Sequence, residues 1–171
     1  MTVPLRGLHY GANVLGAVAI ARLLKIDKSK IMTTIAKLKQ PPHQLELKKL
    51  KNGVTLIDNS YNTNLDGFLA SIEYLKTFPG RTFVVTPGII ELGRFSQKIH
   101  SELGQKLKGI DHVWVTNLKH ADDLSSPENH VTGEENMNKI FSDMRDTLRK
   151  GDTLLIEGRI PESLKSDILK L

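Results

Sequence analysis

At 171 residues, with 39% hydrophobic and 25% charged residues, the chain has the size and usage of one globular domain with a real core. Its net charge of +5 comes from scattered lysines, and the few aromatic residues are not interleaved with the basic ones, which argues against a nucleic-acid surface. The lack of cysteine excludes a disulfide framework and thiolate chemistry and accords with a cytoplasmic location, while the longest apolar run, 12–24, is too short for a membrane span and is interrupted by Asn13 and Arg22.

In chain order, the pattern predicts helices over 10–24 and 28–38, after a start that lacks the features of a secretory signal. Pro41-Pro42 then breaks the chain and forces an extended hinge, so residues 1–40 read as a helical segment and 41–171 as the main domain. Strands are expected over 45–50 and 54–58, joined at Asn52-Gly53, a hairpin dipeptide whose two positions both tolerate positive φ. A helix over 65–77, a strand over 82–86, a helix over 96–107 and a strand over 112–116 follow. Residues 122–132 read as a loop, before a helix over 134–150, a strand over 153–157 and a helix over 161–170. This alternation implies an α/β, Rossmann-like fold: a mostly parallel sheet with helices on both faces.

The stretch Leu56-Ile57-Asp58-Asn59-Ser60-Tyr61-Asn62-Thr63-Asn64 carries the most information. Val54, Leu56 and Ile57 make a short buried strand, and a cluster of hydrogen-bonding side chains ends it, at the edge where open α/β sheets bind ligands. The plain alternative is that Asp58, Asn59, Ser60 and Asn62 form side-chain turns and cap the helix that starts near Asn64.

Asp58-Asn59-Ser60-Tyr61-Asn62-Thr63-Asn64 resembles the Asp-Asp-Ser-Tyr-Asn-Ala-Asn signature of the C-terminal domain of the Mur ligases, in particular the branch that adds D-alanyl-D-alanine. Three further segments fit in order: Gly7-Leu8-His9 with Asn13; Pro42-His43-Gln44-Leu45; and Thr86-Pro87-Gly88-Ile89-Ile90-Glu91-Leu92-Gly93 with His100. The sequence departs from the family at Tyr10, where an asparagine is usual, and at Gln44, where an arginine is usual. Glutamine keeps hydrogen bonding but loses the charge and the fork, so phosphate affinity is expected to be weaker. No Gly-x-x-x-x-Gly-Lys-[Ser/Thr] phosphate loop occurs in the chain.

The resemblance implies that residues 1–40 are a remnant of the central ATP-binding domain and 41–171 the C-terminal domain. It implies ATP and magnesium as cofactors of the full-length enzyme, neither held tightly by this chain, and no ligase activity from the chain alone. It implies, as partners, the central and N-terminal ligase domains, a UDP-linked muramoyl peptide and D-alanyl-D-alanine. Asp58 would meet the nucleotide ribose, Asn13 the adenine edge and His9 the nucleotide; Asn59, Ser60, Tyr61, Asn62, Asn64 and Glu91 would lie toward the incoming amine.

Each residue also has an ordinary reading. Asp58 could be a cap, Asn13 a helix-surface amide, His9 a buried histidine, Tyr61 a core anchor and Glu91 part of a plain turn. His100, four residues after Ser96, lacks a companion acid or nucleophile and reads as support for the Pro87–Gly93 loop; the six histidines show no metal-ligand spacing. Two functions follow: a nucleotide-closing, amine-binding ligase domain, or a non-catalytic binding module built on the same sheet.

Overall fold

The computed structural model describes residues 3–171, with the side chains of Leu8 and His9 outside the described set, so the expectation for His9 falls outside it. Helices α1 (Leu8–Leu23) and α2 (Lys28–Ala36) come first. Asp27 caps α2, its Oδ1 accepting the backbone N–H groups of Ser29 and Lys30. The pair has a small cluster of its own around Val14, Ile31 and Ile35.

The chain then forms strands β1 (Glu46–Lys49) and β2 (Thr55–Asn59), helix α3 (Leu65–Leu75), strand β3 (Thr82–Thr86) and helix α4 (Ser96–Lys106). Strand β4 (His112–Val115), helix α5 (Leu118–Leu124), strand β5 (Val131–Gly133), helix α6 (Met137–Thr147), strand β6 (Thr153–Glu157) and helix α7 (Glu162–Ile168) complete it. The strands form one sheet in the order β1-β2-β6-β3-β4-β5, parallel throughout except for the antiparallel β1-β2 hairpin. Every residue of β3 and β6 is buried, as expected of central parallel strands covered on both faces.

Two cores lie on opposite faces. Ile57, Val84, Val113 and Leu155 point to one, against Phe68 and Ile72 of α3 and Leu103 of α4. Leu56, Phe83, Trp114, Leu154 and Ile156 point to the other, against Ile140 and Met144 of α6 and Leu164 and Ile168 of α7. This alternation decides the fate of the residues that end β2: Asp58 follows Leu56 toward α7, and Asn59 follows Ile57 toward α3.

Two expectations need correction. The segment 122–132 is not simply a loop: it holds the end of α5 and the start of β5. Both elements are short, and β5 is a three-residue edge strand without an apolar alternation, so periodicity gave no signal; the cap at Asn117, whose Oδ1 accepts the Lys119 N–H, was the available clue. The β1-β2 turn also differs in kind. Gly53 N–H donates to the Leu50 carbonyl and Leu50 N–H to the Val54 carbonyl, and Gly53 alone takes positive φ (85°), so the hairpin closes through a three-residue turn.

Candidate functional site

The carboxyl ends of β2 and β6 hold two polar clusters, one on each face of the sheet. On the α7 face, Asp58 is fully buried. Its Oδ1 accepts the Ser60 hydroxyl (2.6 Å) and the Ser60 N–H (3.2 Å). Its Oδ2 lies 2.8 Å from His43 Nδ1, 3.3 Å from Lys48 Nζ and 3.5 Å from Lys165 Nζ. Lys165, itself buried, comes from α7 and donates to Ser60 Oγ at 2.6 Å. Burial alone would raise the Asp58 carboxyl; hydrogen bonds from Ser60 and His43 and the charges of Lys165 and Lys48 outweigh it and hold the group at about 2. The cluster is charged, with Asp58 and Lys165 buried and His43 and Lys48 reaching the surface.

On the α3 face the chemistry is neutral. Asn59 and Glu157 are direct partners in the β2-β6 register, so their side chains lie side by side. Asn59 Nδ2 donates to Glu157 Oε2 (2.8 Å) and to Ser71 Oγ (2.9 Å), while Asn59 Oδ1 accepts the Leu45 N–H (3.1 Å). Thr63 donates its hydroxyl to Glu157 Oε1 at 2.6 Å. Among the described residues no cation takes part, and burial pushes the Glu157 carboxyl up to about 7 despite the hydrogen bonds from Thr63 and Asn59 and the polar Ser71 hydroxyl nearby.

Above this second cluster lies an open cavity of about 420 Å³, lined by Tyr10, Gln44, Asn59, Tyr61, Asn62, Asn64, Asp66 and Gly67. Four of the sequence-predicted residues, Asn59, Tyr61, Asn62 and Asn64, therefore share one concave surface. Asp58 and Ser60 do not line it; the strand's two-residue period turns them to the opposite face. Asn64 also caps α3, its Oδ1 accepting the Gly67 N–H at 2.8 Å. Tyr61 is exposed rather than anchored in the core.

The two departures from the family pattern meet in this wall: Tyr10 donates its hydroxyl to Gln44 Oε1 at 2.6 Å. Gln40 in turn donates to the Gln44 carbonyl and accepts the Arg6 N–H at 2.7 Å, which ties the start of the chain to the hinge strand. Asn13 lies one helical turn beyond Tyr10, exposed to solvent.

Glu91 does not line the cavity. It sits exposed, with φ at 65°, in the loop that follows β3. His100 supports that loop as its spacing suggested: Nε2 accepts the Ile89 N–H (2.9 Å), and Nδ1 faces the Ser96 carbonyl (2.8 Å). A Cβ at Gly88, where φ is 81°, would come within 2.7 Å of His100 Nε2, so the glycine is required there.

Sequence spacing hid two convergences of possible metal ligands, His100 with His120 and Asp123, and His43 with Glu46 and Asp58. In the first, both His100 nitrogens already have partners; in the second, two lysine ammonium groups sit on the Asp58 oxygen. Neither donor set suits a cation as it stands. Sequence reasoning also missed Glu157 and Lys165. The acid that closes the apolar run 153–157 was a usable signal for Glu157, whereas Lys165 looks like any helix lysine until α7 is docked.

The lining limits the chemistry that the cavity can meet. Amides, two phenols and the Asp66 carboxylate are groups that suit a diol, the edge of a base or an ammonium group, and among the described residues no lysine, arginine or histidine lines the wall. Its volume is within the usual range for small-molecule sites.

Comparison with known proteins bears on the same region. The family model described as Mur ligase, glutamate ligase domain, matches residues 43–160. A UDP-N-acetylmuramoyl-tripeptide–D-alanyl-D-alanine ligase of Synechocystis is 28% identical over 164 residues, covering 92% of this chain and 36% of that protein. The Escherichia coli ligase of the same name is 34% identical over 113 residues, covering 65% of this chain and 25% of its own length. Among solved structures, the MurF ligase from Thermotoga maritima in complex with ADP superposes with a TM-score of 0.80 at 28% identity, over 99% of this chain and 40% of that one. MurF from Acinetobacter baumannii gives a TM-score of 0.83 at 21% identity, over 99% of this chain and 39% of that one, a likeness of fold. The chain thus spans well under half the length of these relatives.

Proposed function

Because this chain belongs to the Mur ligase family, through its glutamate ligase domain, we propose that it is the amine-binding, nucleotide-closing C-terminal domain of an ATP-dependent amide ligase. The reaction in view is addition of D-alanyl-D-alanine to a UDP-linked muramoyl tripeptide, a step of peptidoglycan precursor synthesis in the cytoplasm. Longer ligases of that name among the relatives support this reading. In it, residues 1–40 belong with a central ATP-binding domain, and the central and N-terminal domains supply what this chain lacks.

The single observation that carries the proposal is the cavity at the end of β2, which gathers Asn59, Tyr61, Asn62 and Asn64 beside Tyr10 and Gln44. ATP supplies the phosphoryl group that activates the acceptor carboxylate, and its phosphates and magnesium would be held outside this chain. What these residues do is narrower: amides and phenols bind and orient a ribose or an incoming amine, and the wall excludes water once the domains close. Asn13 would extend the surface by one helical turn toward the base. Asp58 would hold Ser60 and the strand end from behind, and Glu91 would stand at the rim of the neighbouring loop.

A second reading, a binding module without catalysis, is favoured by the Tyr10–Gln44 hydrogen bond, since both departures from the family pattern satisfy each other within the wall. Calorimetry on the chain tests the leading proposal. ADP and adenosine should bind alike, at millimolar or poorer affinity, roughly 4 kcal/mol or less, because only base and ribose contacts are available. Micromolar ADP would contradict a cavity whose described lining offers phosphates no cation. Incubation of the chain alone with ATP, D-alanyl-D-alanine and the muramoyl tripeptide should release no phosphate above background.

A further inference from the structure

Glu157 is a buried titratable group to which the proposed ligand binding assigns no role. It closes the central strand β6, is completely buried, and spans the two ends of the 59–63 segment, which carries three of the cavity-lining residues: Asn59, the last residue of β2, on one oxygen, and Thr63, just before the α3 cap, on the other. We propose that Glu157 is a positioning residue for the cavity, a proton-operated tether that holds the 59–63 loop firmly in its binding shape when ionised and more weakly when protonated.

The hydrogen inventory around the carboxyl gives the direction. Asn59 Oδ1 is committed to the Leu45 N–H, so the Asn59 amide faces Glu157 with a donor. The Ser71 hydroxyl sends its one proton to the Gly67 carbonyl at 2.9 Å. An ionised Glu157 therefore accepts two bonds, from Asn59 and from Thr63, and both ends of the loop are held. A protonated Glu157 carries a hydrogen that needs an acceptor, and the hydroxyl oxygens of Thr63 and Ser71 are those within its set of partners. If it turns to Thr63, the Thr63 hydroxyl must point its own proton elsewhere; if it turns to Ser71, the Thr63 bond is weakened. Either way the charge-assisted bond that Thr63 makes to the carboxylate gives way to a reversed or a weaker neutral one, while the Asn59 amide still faces Glu157 with a donor.

The surroundings make the proton labile near neutrality. β2 presents Asn59, the 60–64 segment Thr63, and α3 Ser71, while Pro87 of the loop after β3 packs near the adjoining Gly158. None of these groups is titratable or charged, so desolvation acts on the carboxyl without an opposing cation, and it sits near 7. The cluster on the other face, with His43, Lys48, Lys165 and Glu46, surrounds Asp58 instead.

This inference deepens the proposed nucleoside or amine site and rests on that reading for its functional consequence, but its structural half can be measured without ligand. In the whole chain, the Asn59 side-chain amide and the backbone amides of 60–63 should titrate together by NMR with one midpoint near 7, and Glu157→Gln should abolish that titration. Adenosine, used as the probe, should bind roughly three- to tenfold more tightly above the midpoint than below it, the worth of one hydrogen bond, and should lose this pH dependence in Glu157→Gln. A Thr63→Val variant keeps the carboxyl while removing the donor, and should move the midpoint upward even if Glu157→Gln fails to fold. Loop amides that do not titrate, that titrate equally in Glu157→Gln, or that keep their midpoint in Thr63→Val would overturn the tether. Absence of adenosine binding with the loop titration intact would overturn the site reading and leave the tether as a purely structural device.

Discussion

Asp58 and Glu157 stand at the ends of neighbouring strands, one on each face of the sheet, both fully buried, and their acidities move in opposite directions. Burial penalises the charged form of each. Asp58 is met by His43, Lys48 and Lys165 and stays ionised at about 2, whereas Glu157 is met only by hydroxyls and an amide and rises to about 7. The difference lies in the partners that each face recruits. The α7 face buries a lysine and becomes an ionic brace; the α3 face, with no cation on its carboxyl among the described residues, opens into a cavity that can respond to pH.

The sharpest way to break this contrast is Asp58→Asn. It removes the negative charge while leaving Lys165 buried, and should destabilise the chain by about 3 kcal/mol, a fall in melting temperature of roughly 10 °C. If Asp58 were only a helix cap, asparagine would serve equally well and the melting temperature would not move.

Nearly as large is the expected pH dependence of stability. Glu157 binds a proton more tightly folded, at about 7, than unfolded, at 4.5. Its contribution is therefore fully present below 4.5 and is lost as pH rises through 7, by as much as about 3 kcal/mol. Asp58 acts in the opposite sense: its pKa is depressed from 3.8 to about 2, so its contribution is present above 3.8 and lost as pH falls through 2. Urea denaturation across pH should show a maximum between roughly 4 and 5, and Glu157→Gln should flatten only the side toward neutrality.

Smaller effects sharpen the division of labour within the cavity. Asn64→Ala removes the cap of α3 and should cost about 1 kcal/mol by chemical denaturation, a structural penalty separate from any contact with ligand. Tyr10→Phe breaks the Tyr10–Gln44 bond at the cavity wall and should cost about 1 kcal/mol or less; adenosine binding measured on the same variant would show whether that bond shapes the wall.

Much of the architecture was legible in the sequence. Strands β3, β4 and β6 announce themselves as short apolar runs between helical segments, whereas the stretch after Pro41-Pro42, expected to be extended, turns instead, with His43 and Leu45 at positive φ. The 118–133 segment was harder, because a seven-residue helix and a three-residue edge strand carry too few residues to show a period. At the site, the motif located the correct strand end, but its letters do not say which face each side chain takes. One residue of register separates Asp58 in the ionic brace from Asn59 in the cavity, and the absolute register becomes visible only once β2 is paired with β6. Glu157 and Lys165 lie about a hundred residues away from the residues they hold, a separation that local pattern does not bridge.

The central claim is that ligand recognition belongs to the neutral face and mechanical support to the charged one. Side-chain NMR of the chain titrated with adenosine, at a pH above 7, tests it most directly. The account predicts shifts at the side-chain amides of Asn59, Asn62 and Asn64 and at the Tyr10 and Tyr61 rings, with His43 and Lys165 unmoved. Shifts concentrated at His43, Lys165 and Ser60, with the asparagine amides silent, would place the ligand on the opposite face of β2 and contradict it.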